Sequence, residues 1–467
     1  MRTAEVVICG AGIAGISAAY HLTVRHGLRD VVLVDNQPPL SMTSDKSTEC
    51  YRNWWPGPGD TMVRFMNRGI DLLEELSAES GNVFVMNRRG YAYFTADPAQ
   101  AAALERGARE VSALGAGELR IHRPGRPGRP GHSRKDDPPY PKERTEEITP
   151  DLTGADLVLD PARILRRFPF LAKDTLAMLH VRRCGWLSAQ QLGMYLMEQA
   201  RDHGMRFVKG KIEEVTVRDD KVEGVRLAKG SGEDAIATRR FVNAAGPLSP
   251  AVGRMSGVEL PLFNELHGKV MFEDYLGLIP RDLPLMIWTD PVTLAWSDEE
   301  REEMAKDPEL RWLLGTLPAG VHFRPEGGAD SRWHLLLWTY HLEPMEPVFP
   351  PKFDPFYPEV VLRGLARMVP SLSQYLGPHM RRPYVDGGYY CKTKENRLLV
   401  GPTSVEGNYL LCGMSGYGIM ASQSAAELLA AHVTGSTLPD YAGEFALSRY
   451  EDPAYLEKVA AMTSGQL

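Results

Sequence analysis

The N-terminal stretch from Thr3 to Pro39 constrains the fold of this chain more than any other part of it. Val6-Val7-Ile8-Cys9 is a short, largely β-branched run, and Gly10-Ala11-Gly12-Ile13-Ala14-Gly15 follows directly. A helical stretch, Ile16 to Arg25, leads to a second apolar run, Val31-Val32-Leu33-Val34, which ends in Asp35 and Asn36. Strand, glycine turn, helix, strand and acid come in the order a dinucleotide site needs. Gly10 lets the chain turn tightly out of the strand. Gly12 carries no side chain to keep a pyrophosphate off the backbone, and Gly15 lets the helix lie close on the sheet. The helix N-terminus, at Ile13 and Ala14, offers free N–H groups and a partial positive charge to phosphates. Asp35 is placed to accept hydrogen bonds from an adenosine ribose, and its charge would repel a 2′-phosphate.

A second unit of the same kind closes the chain. Tyr409-Leu410-Leu411-Cys412 reads as a strand, Gly413-Met414-Ser415-Gly416-Tyr417-Gly418 as a glycine turn, and Ile419 to His432 as a helix. A flavin needs a second helix start of this kind: on reduction its ring gathers negative charge around N1 and the C2 carbonyl, which a helix N-terminus stabilises. Gly413, Ser415, Gly416, Tyr417, Gly418 and Ile419 are therefore candidate cofactor contacts. Phe241-Val242-Asn243 is a strand ending in Ala244, Ala245 and Gly246, small residues that either let a cofactor lie against the backbone or simply make a packing turn. Ile212, heading a strand after Met205 to Val208, is a further candidate.

Between these units the chain changes character several times. Ser41 to Gly57 is hydroxyl-rich and then aromatic, so Ser44, Lys46, Ser47 and Thr48 can line phosphates and a ring edge, or form an ordinary loop. The adjacent Trp54 and Trp55 call for a partner surface. Asp60 to Ser77 has helical spacing of Met62, Phe65, Met66, Ile70, Leu73 and Leu76. Phe84 to Met86 and Tyr91 to Phe94 read as paired strands, followed by a helix from Ala99 to Leu114. Residues 122–150 contain an Arg-Pro-Gly repeat from which no packed core can be built, and read as a flexible surface insertion rather than a lid or anion clamp. Glu265 to Glu273, Leu285 to Trp288 and Trp333 to His341 suggest a separate sheet. In the last of these, alternation puts His334, Leu336, Trp338 and Tyr340 on one face, which either roofs a flat ring or packs as core.

The length, 467 residues, suits two domains, and a net charge of −7 gives no reason to expect nucleic acid or an anionic membrane as partner. Cys9, Cys50, Cys184, Cys391 and Cys412 form no CxxC pair, which points to a reducing compartment and no zinc site. With no apolar run of membrane-spanning length, the expectation is a cytoplasmic protein.

The landmarks Gly10 to Gly15, Asp35, Asn243 to Pro247, Gly387-Gly388-Tyr389-Tyr390 to Gly401-Pro402, and Ser415 to Gly418 together resemble the FAD-dependent D-amino-acid oxidase-like (DAO) oxidoreductases. That family includes sarcosine, glycine and dimethylglycine oxidoreductases. The resemblance implies an α/β plus α+β fold of the glutathione-reductase-2-like type. A Rossmann-type FAD-binding domain (1–82, 152–262, 384–467) would be interleaved with an antiparallel-sheet substrate domain (83–151, 263–383). It implies oxidation of a C–N bond in a small-molecule amine or amino acid, with hydride passing to flavin N5 and the resulting imine hydrolysing. By the same resemblance Arg52 would grip a substrate carboxylate, unless it makes a surface salt bridge; Tyr390 would line the pocket. Lys269 would assist oxygen reduction, or be a solvated lysine; Tyr340 joins the aromatic supply. Met420 stands where sarcosine oxidase-like members carry a second carboxylate-binding lysine. Cys391 falls three residues after Gly388, where some members bond the flavin covalently, so the expectation is non-covalent FAD. Two alternatives remain: an FAD hydroxylase reduced by NAD(P)H, against which Gly413-Met414 stands in place of a Gly-Asp pair, and a flavin-bearing assembly factor without turnover.

Overall fold

The structure is a computed structural model that describes residues 2–124, 153–229, 234–328, 330–341, 343–381 and 383–460. Most of the expected 122–150 insertion lies outside the described residues. Val6–Cys9 and Val31–Asp35 pair in parallel, with Val6 opposite Val31, and are almost wholly buried, as a continuous apolar run in a covered parallel sheet must be. The sheet has six strands, in the order Met205–Lys209, Val31–Asp35, Val6–Cys9, Phe241–Asn243, Asn408–Cys412 and Leu399–Pro402. The first five run parallel and the last antiparallel. The helix Ile13–Tyr20, continued by a π turn His21–Arg25, packs against helices Ala189–Asp202 and Gly418–Thr434. Helix Thr61–Ser80 turns its apolar stripe inward onto Gly418–Thr434, with Met62, Phe65, Met66, Ile70, Leu73 and Leu76 all buried.

The second sheet has nine strands, running from Tyr384–Lys392 at one edge to Leu119–His122 at the other. It is antiparallel except where Leu285–Trp288 meets Tyr91–Thr95 and where Leu119–His122 meets Ala155–Val158. Its membership corrects two expected boundaries. Ala155–Val158 and Ala177–Val181, placed by sequence with the nucleotide sheet, lie here, and so does Tyr384–Lys392. All three strands alternate poorly in sequence because each is buried on both faces over most of its length.

Phe84 to Met86 forms no strand. Val85 sits at φ 55°, and the Asn82 side chain bonds both the N–H and the carbonyl of Met86 (2.8 and 2.9 Å), taking the groups a partner strand would have used. The strand at Trp333 ends at Leu337 rather than His341.

A buried ion pair ties the C-terminal segment to the stretch leading into edge strand Leu399–Pro402, the antiparallel neighbour of the strand that feeds the second glycine turn. Arg449 bonds Glu395 (2.8 Å) and the carbonyls of Leu398 (2.7 Å) and Arg397 (3.0 Å), while Glu395 also accepts from the Tyr450 and Tyr455 hydroxyls. Both charges are almost fully buried. Removing one strands the other, so Arg449→Met is expected to cost about 3–5 kcal/mol, read as a lower urea midpoint.

Candidate active site

Parallel pairing places the carboxyl ends of Val6–Cys9, Phe241–Asn243 and Asn408–Cys412 side by side, so the turns that follow them open on one edge of the sheet. There they line a single cavity. From the first turn come Gly10, Gly12, Ile13 and Ala14, with Asp35 beside them; from the middle strand come Ala244, Ala245 and Gly246. The last turn contributes Gly413, Ser415, Gly416, Gly418 and Ile419. The loop after Asp35 closes one side with Ser44 and Ser47, and Tyr390 closes another. The two helix starts, some four hundred residues apart in sequence, thus face one space.

The glycines are there for contact as well as conformation. Gly10 has φ +109°, and a methyl carbon added to it would lie 2.8 Å from the Ala244 carbonyl carbon. One added to Gly15, which sits beneath the turn rather than on the cavity wall, would overlap the Gly10 carbonyl oxygen. Asp35 accepts from the Ala11 N–H (2.7 Å) and the Gln37 N–H (2.8 Å), which fixes its carboxylate at the cavity rim. Ser44 Oγ accepts from the Ile13 N–H (2.9 Å), so an oxygen already occupies the helix N-terminus where an anion's oxygen would bind.

A second cavity adjoins the first; Tyr390 and Gly416 line both. Its wall carries Thr48, Arg52, Trp55, Tyr417 and Met420, together with Tyr91, His267, His322, Leu337 and Thr339. Arg52 is buried in strand Cys50–Arg52, bonds the Tyr93 hydroxyl (3.1 Å) and lies over the Trp55 ring (4.9 Å). Trp55 in turn meets Tyr417 edge-on at 5.0 Å. His267 stacks on Tyr390 with ring centroids 3.9 Å apart. Burial lowers the His267 pKa although Glu265 opposes the shift, and burial raises that of Tyr390.

Thr48 and Tyr417, expected at the cofactor, line the second cavity and not the first, and five further expected contacts lie elsewhere. Lys46 forms an ion pair with Asp386 (2.8 Å) rather than lining the cavity, because the edge strand of the nine-stranded sheet brings an acid to it. Ile212 packs in a core with Val215, Val225 and Leu227. Lys269 donates to the Asp45 carbonyl from a buried position and reaches neither cavity. Tyr340 stacks on Trp312 and meets Trp338 and Tyr357 in the second core. The opposite face of its segment, with Leu337 and Thr339, is the one that meets the cavity. Asn36 is exposed beside Asp35. Sequence reasoning missed His267 and His322; each is a lone histidine in a β-prone run, and only the strand register turns both inward.

The sequence model of the family described as DAO, FAD dependent oxidoreductase, matches residues 5–432. The chain belongs to this FAD-dependent oxidoreductase family. Mitochondrial dimethylglycine dehydrogenase of Rattus norvegicus is 25% identical over 287 residues, which cover 61% of this chain but 28% of that protein. Among solved structures, L-proline dehydrogenase from P. horikoshii superimposes with a TM-score of 0.69 at 16% identity, covering 99% of this chain and 100% of that one. Glycine oxidase from Geobacillus kaustophilus gives 0.70 at 15%, covering 96% and 99%. These likenesses carry the two-domain fold.

The first cavity fits FAD on its own chemistry. The backbone of Gly10, Ala11 and Gly12 lines it beside Asp35, the combination of a glycine turn and an acid that a dinucleotide takes. The 3-10 turn Ser415–Tyr417 leads into helix Gly418–Thr434, whose start also lines the cavity. Among the described residues no group of three or more His, Cys, Asp or Glu could hold a metal, and no helix is long and apolar enough to cross a membrane. Gly15→Val forces the first helix off the turn, at a cost of at least about 1–3 kcal/mol. The variant is expected to purify colourless under conditions where the native protein is yellow.

Proposed function

We propose that this member of the family oxidises the C–N bond of an amine or amino acid, with FAD held without a covalent bond. The observation that carries the proposal is the second cavity. It adjoins the flavin cavity across Tyr390 and Gly416 and is walled by aromatic and aliphatic side chains, with one guanidinium, Arg52, at its wall. Such a pocket orients a small amine, excludes water and anchors a carboxylate bidentately. When bound, FAD supplies the acceptor for the hydride leaving the carbon beside the nitrogen. The chain's own part is placement: Arg52 is backed by Tyr93 and Trp55 and so keeps its fork fixed. Met420 offers only apolar contact where a second cation would otherwise stand. The names of the relatives, a dimethylglycine dehydrogenase, a proline dehydrogenase and a glycine oxidase, support the substrate class. The Cys391 thiol lines the flavin cavity, but burial pushes its pKa up to about 12, which disfavours the thiolate a covalent link would need.

Anaerobic mixing with a panel of primary, N-methylated and cyclic amines, with and without carboxylates, is expected to bleach the bound flavin with at least one amine. NAD(P)H alone should leave it oxidised; rapid bleaching by NAD(P)H would instead identify a hydroxylase. Arg52→Ala is expected to raise KM for carboxylate-bearing amines about ten- to hundredfold while leaving uncharged amines nearly unaffected. Equal losses for both kinds of amine would remove Arg52 from the carboxylate site.

A further inference from the structure

The two histidines of the second cavity differ in what their rings have left to give. His267 is committed at both nitrogens. Nε2 faces Glu265 Oε2 (3.4 Å), and the Thr339 hydroxyl donates to Nδ1 (2.9 Å). Glu265 is itself held by Lys392 at 2.9 Å.

His322 is the first residue of strand His322–Pro325, paired with Leu337 on one side and Ile287 on the other. Its Nδ1 lies 2.7 Å from the Gly320 carbonyl oxygen, which can only accept, so Nδ1 carries the hydrogen. That carbonyl is not free to swing away. Gly320 has φ +102°, and its N–H donates to the Trp288 carbonyl (2.9 Å), pinning the turn to the neighbouring strand. The tautomer is thereby fixed, and the lone pair is on Nε2. His322 lines the cavity and is partly accessible. Among the described residues its Nε2 has no hydrogen-bond partner. The charged and titratable groups sharing that cavity are His267, Arg52, Cys50, Tyr91, Tyr390 and Tyr417, none of them a carboxylate.

We propose that His322 Nε2 is the acceptor for an N–H of the substrate amine, and that it sets specificity for primary and secondary amines over tertiary ones. The inference rests on the amine-oxidising function proposed above. A primary or secondary amine in its neutral, reactive form still carries an N–H for this lone pair. A neutral tertiary amine carries none, and it leaves the imidazole nitrogen desolvated without a partner. Rejection of a ligand that leaves a buried polar group unmatched is stronger than rejection on size alone. Burial holds the ring neutral, with its pKa lowered to about 4, so the acceptor is available throughout the physiological range. Selection for an N–H is a property of this chain's own residue at position 322, independent of how a carboxylate is gripped.

The test uses matched pairs, the N-methyl and N,N-dimethyl derivatives of glycine and of phenylalanine, added to the FAD-loaded protein. Binding is read from perturbation of the flavin spectrum and turnover from anaerobic bleaching. The native protein is expected to favour the N-methyl member of a pair about ten- to hundredfold in kcat/KM or in Kd. His322→Leu is expected to collapse that preference by weakening the N-methyl compound while the dimethyl compound changes little. His322→Gln, which can place a carbonyl oxygen at the same point, is expected to restore part of it. A preference unchanged in His322→Leu, a native preference for the dimethyl compound, or no perturbation by either member overturns the proposal. Selective binding of the N-methyl compound without bleaching would keep the assignment of His322 and overturn the oxidation reading instead.

Discussion

The architecture depends on parallel alignment of three short strands, Val6–Cys9, Phe241–Asn243 and Asn408–Cys412, drawn from the beginning, middle and end of the chain. Parallel strands present their carboxyl ends to the same edge, so whatever follows each strand converges there. The first and last strands are each followed by a glycine turn and a helix start, the middle one by small residues. None of the three could make a cofactor site alone. Their shared edge brings the first helix start and the second onto the lining of one cavity.

The loop between Ser41 and Cys50 turns this open edge into an enclosed site, and it is held chiefly by the other sheet. Thr43 donates to the Tyr389 carbonyl (3.2 Å), Lys46 pairs with Asp386, Lys269 reaches the Asp45 carbonyl, and Arg324 donates to the Thr48 carbonyl (2.7 Å). Arg324 also pairs with Glu326 (2.6 Å), and with Glu49 at the longer distance of 3.8 Å. Burial raises the Glu49 pKa to about 7 against the pull of Arg324 and Lys269. Lysines 46 and 269, which have the right chemistry for phosphate or oxygen, are thus spent on clamping the loop. The substrate sheet does more than cover the flavin edge; it sets the shape of one wall of the cofactor cavity.

Much of this was legible in the sequence, because backbone-driven features leave local signatures. The glycine spacing at Gly10, Gly12 and Gly15, the acid at Asp35 and the second turn at Gly413 to Gly418 each encode a geometry within a few residues; Gly10, Gly12, Asp35, Gly413, Ser415, Gly416 and Gly418 line the first cavity, Gly15 packs beneath its turn and Tyr417 lines the second cavity. Arg52, singled out by the resemblance, lines the second cavity. What failed depended on register and on partners distant in the chain. Lys46 and Lys269 could not be separated from cofactor ligands without knowing that Asp386 and Asp45 would meet them. Tyr340 lay on the wrong face because the choice between the two faces of its segment is made by the packing of Trp312 and Tyr357. His267 and His322 were invisible for the same reason, since each faces the cavity only by virtue of the strands beside it.

The electrostatics of the second cavity follow from those distant partners. Arg52 supplies one positive charge on its wall, while burial favours the uncharged form of both histidines and of Tyr91, Tyr390 and Tyr417. The Glu265 carboxylate, which meets the cavity-lining His267, is engaged by Lys392 as well. A ligand carrying a carboxylate and an ammonium therefore finds a counter-charge for the first and none on the wall for the second. On the proposed reading, a carboxylate paired with Arg52 would leave the ammonium in an environment that penalises charge, and desolvation would shift it toward the neutral amine. The neutral amine is also the form whose nitrogen lone pair can assist loss of hydride from the adjacent carbon. The absence of a second cation at Met420 and the neutrality of the imidazoles thus act together, favouring a ligand with one anionic end and an uncharged nitrogen.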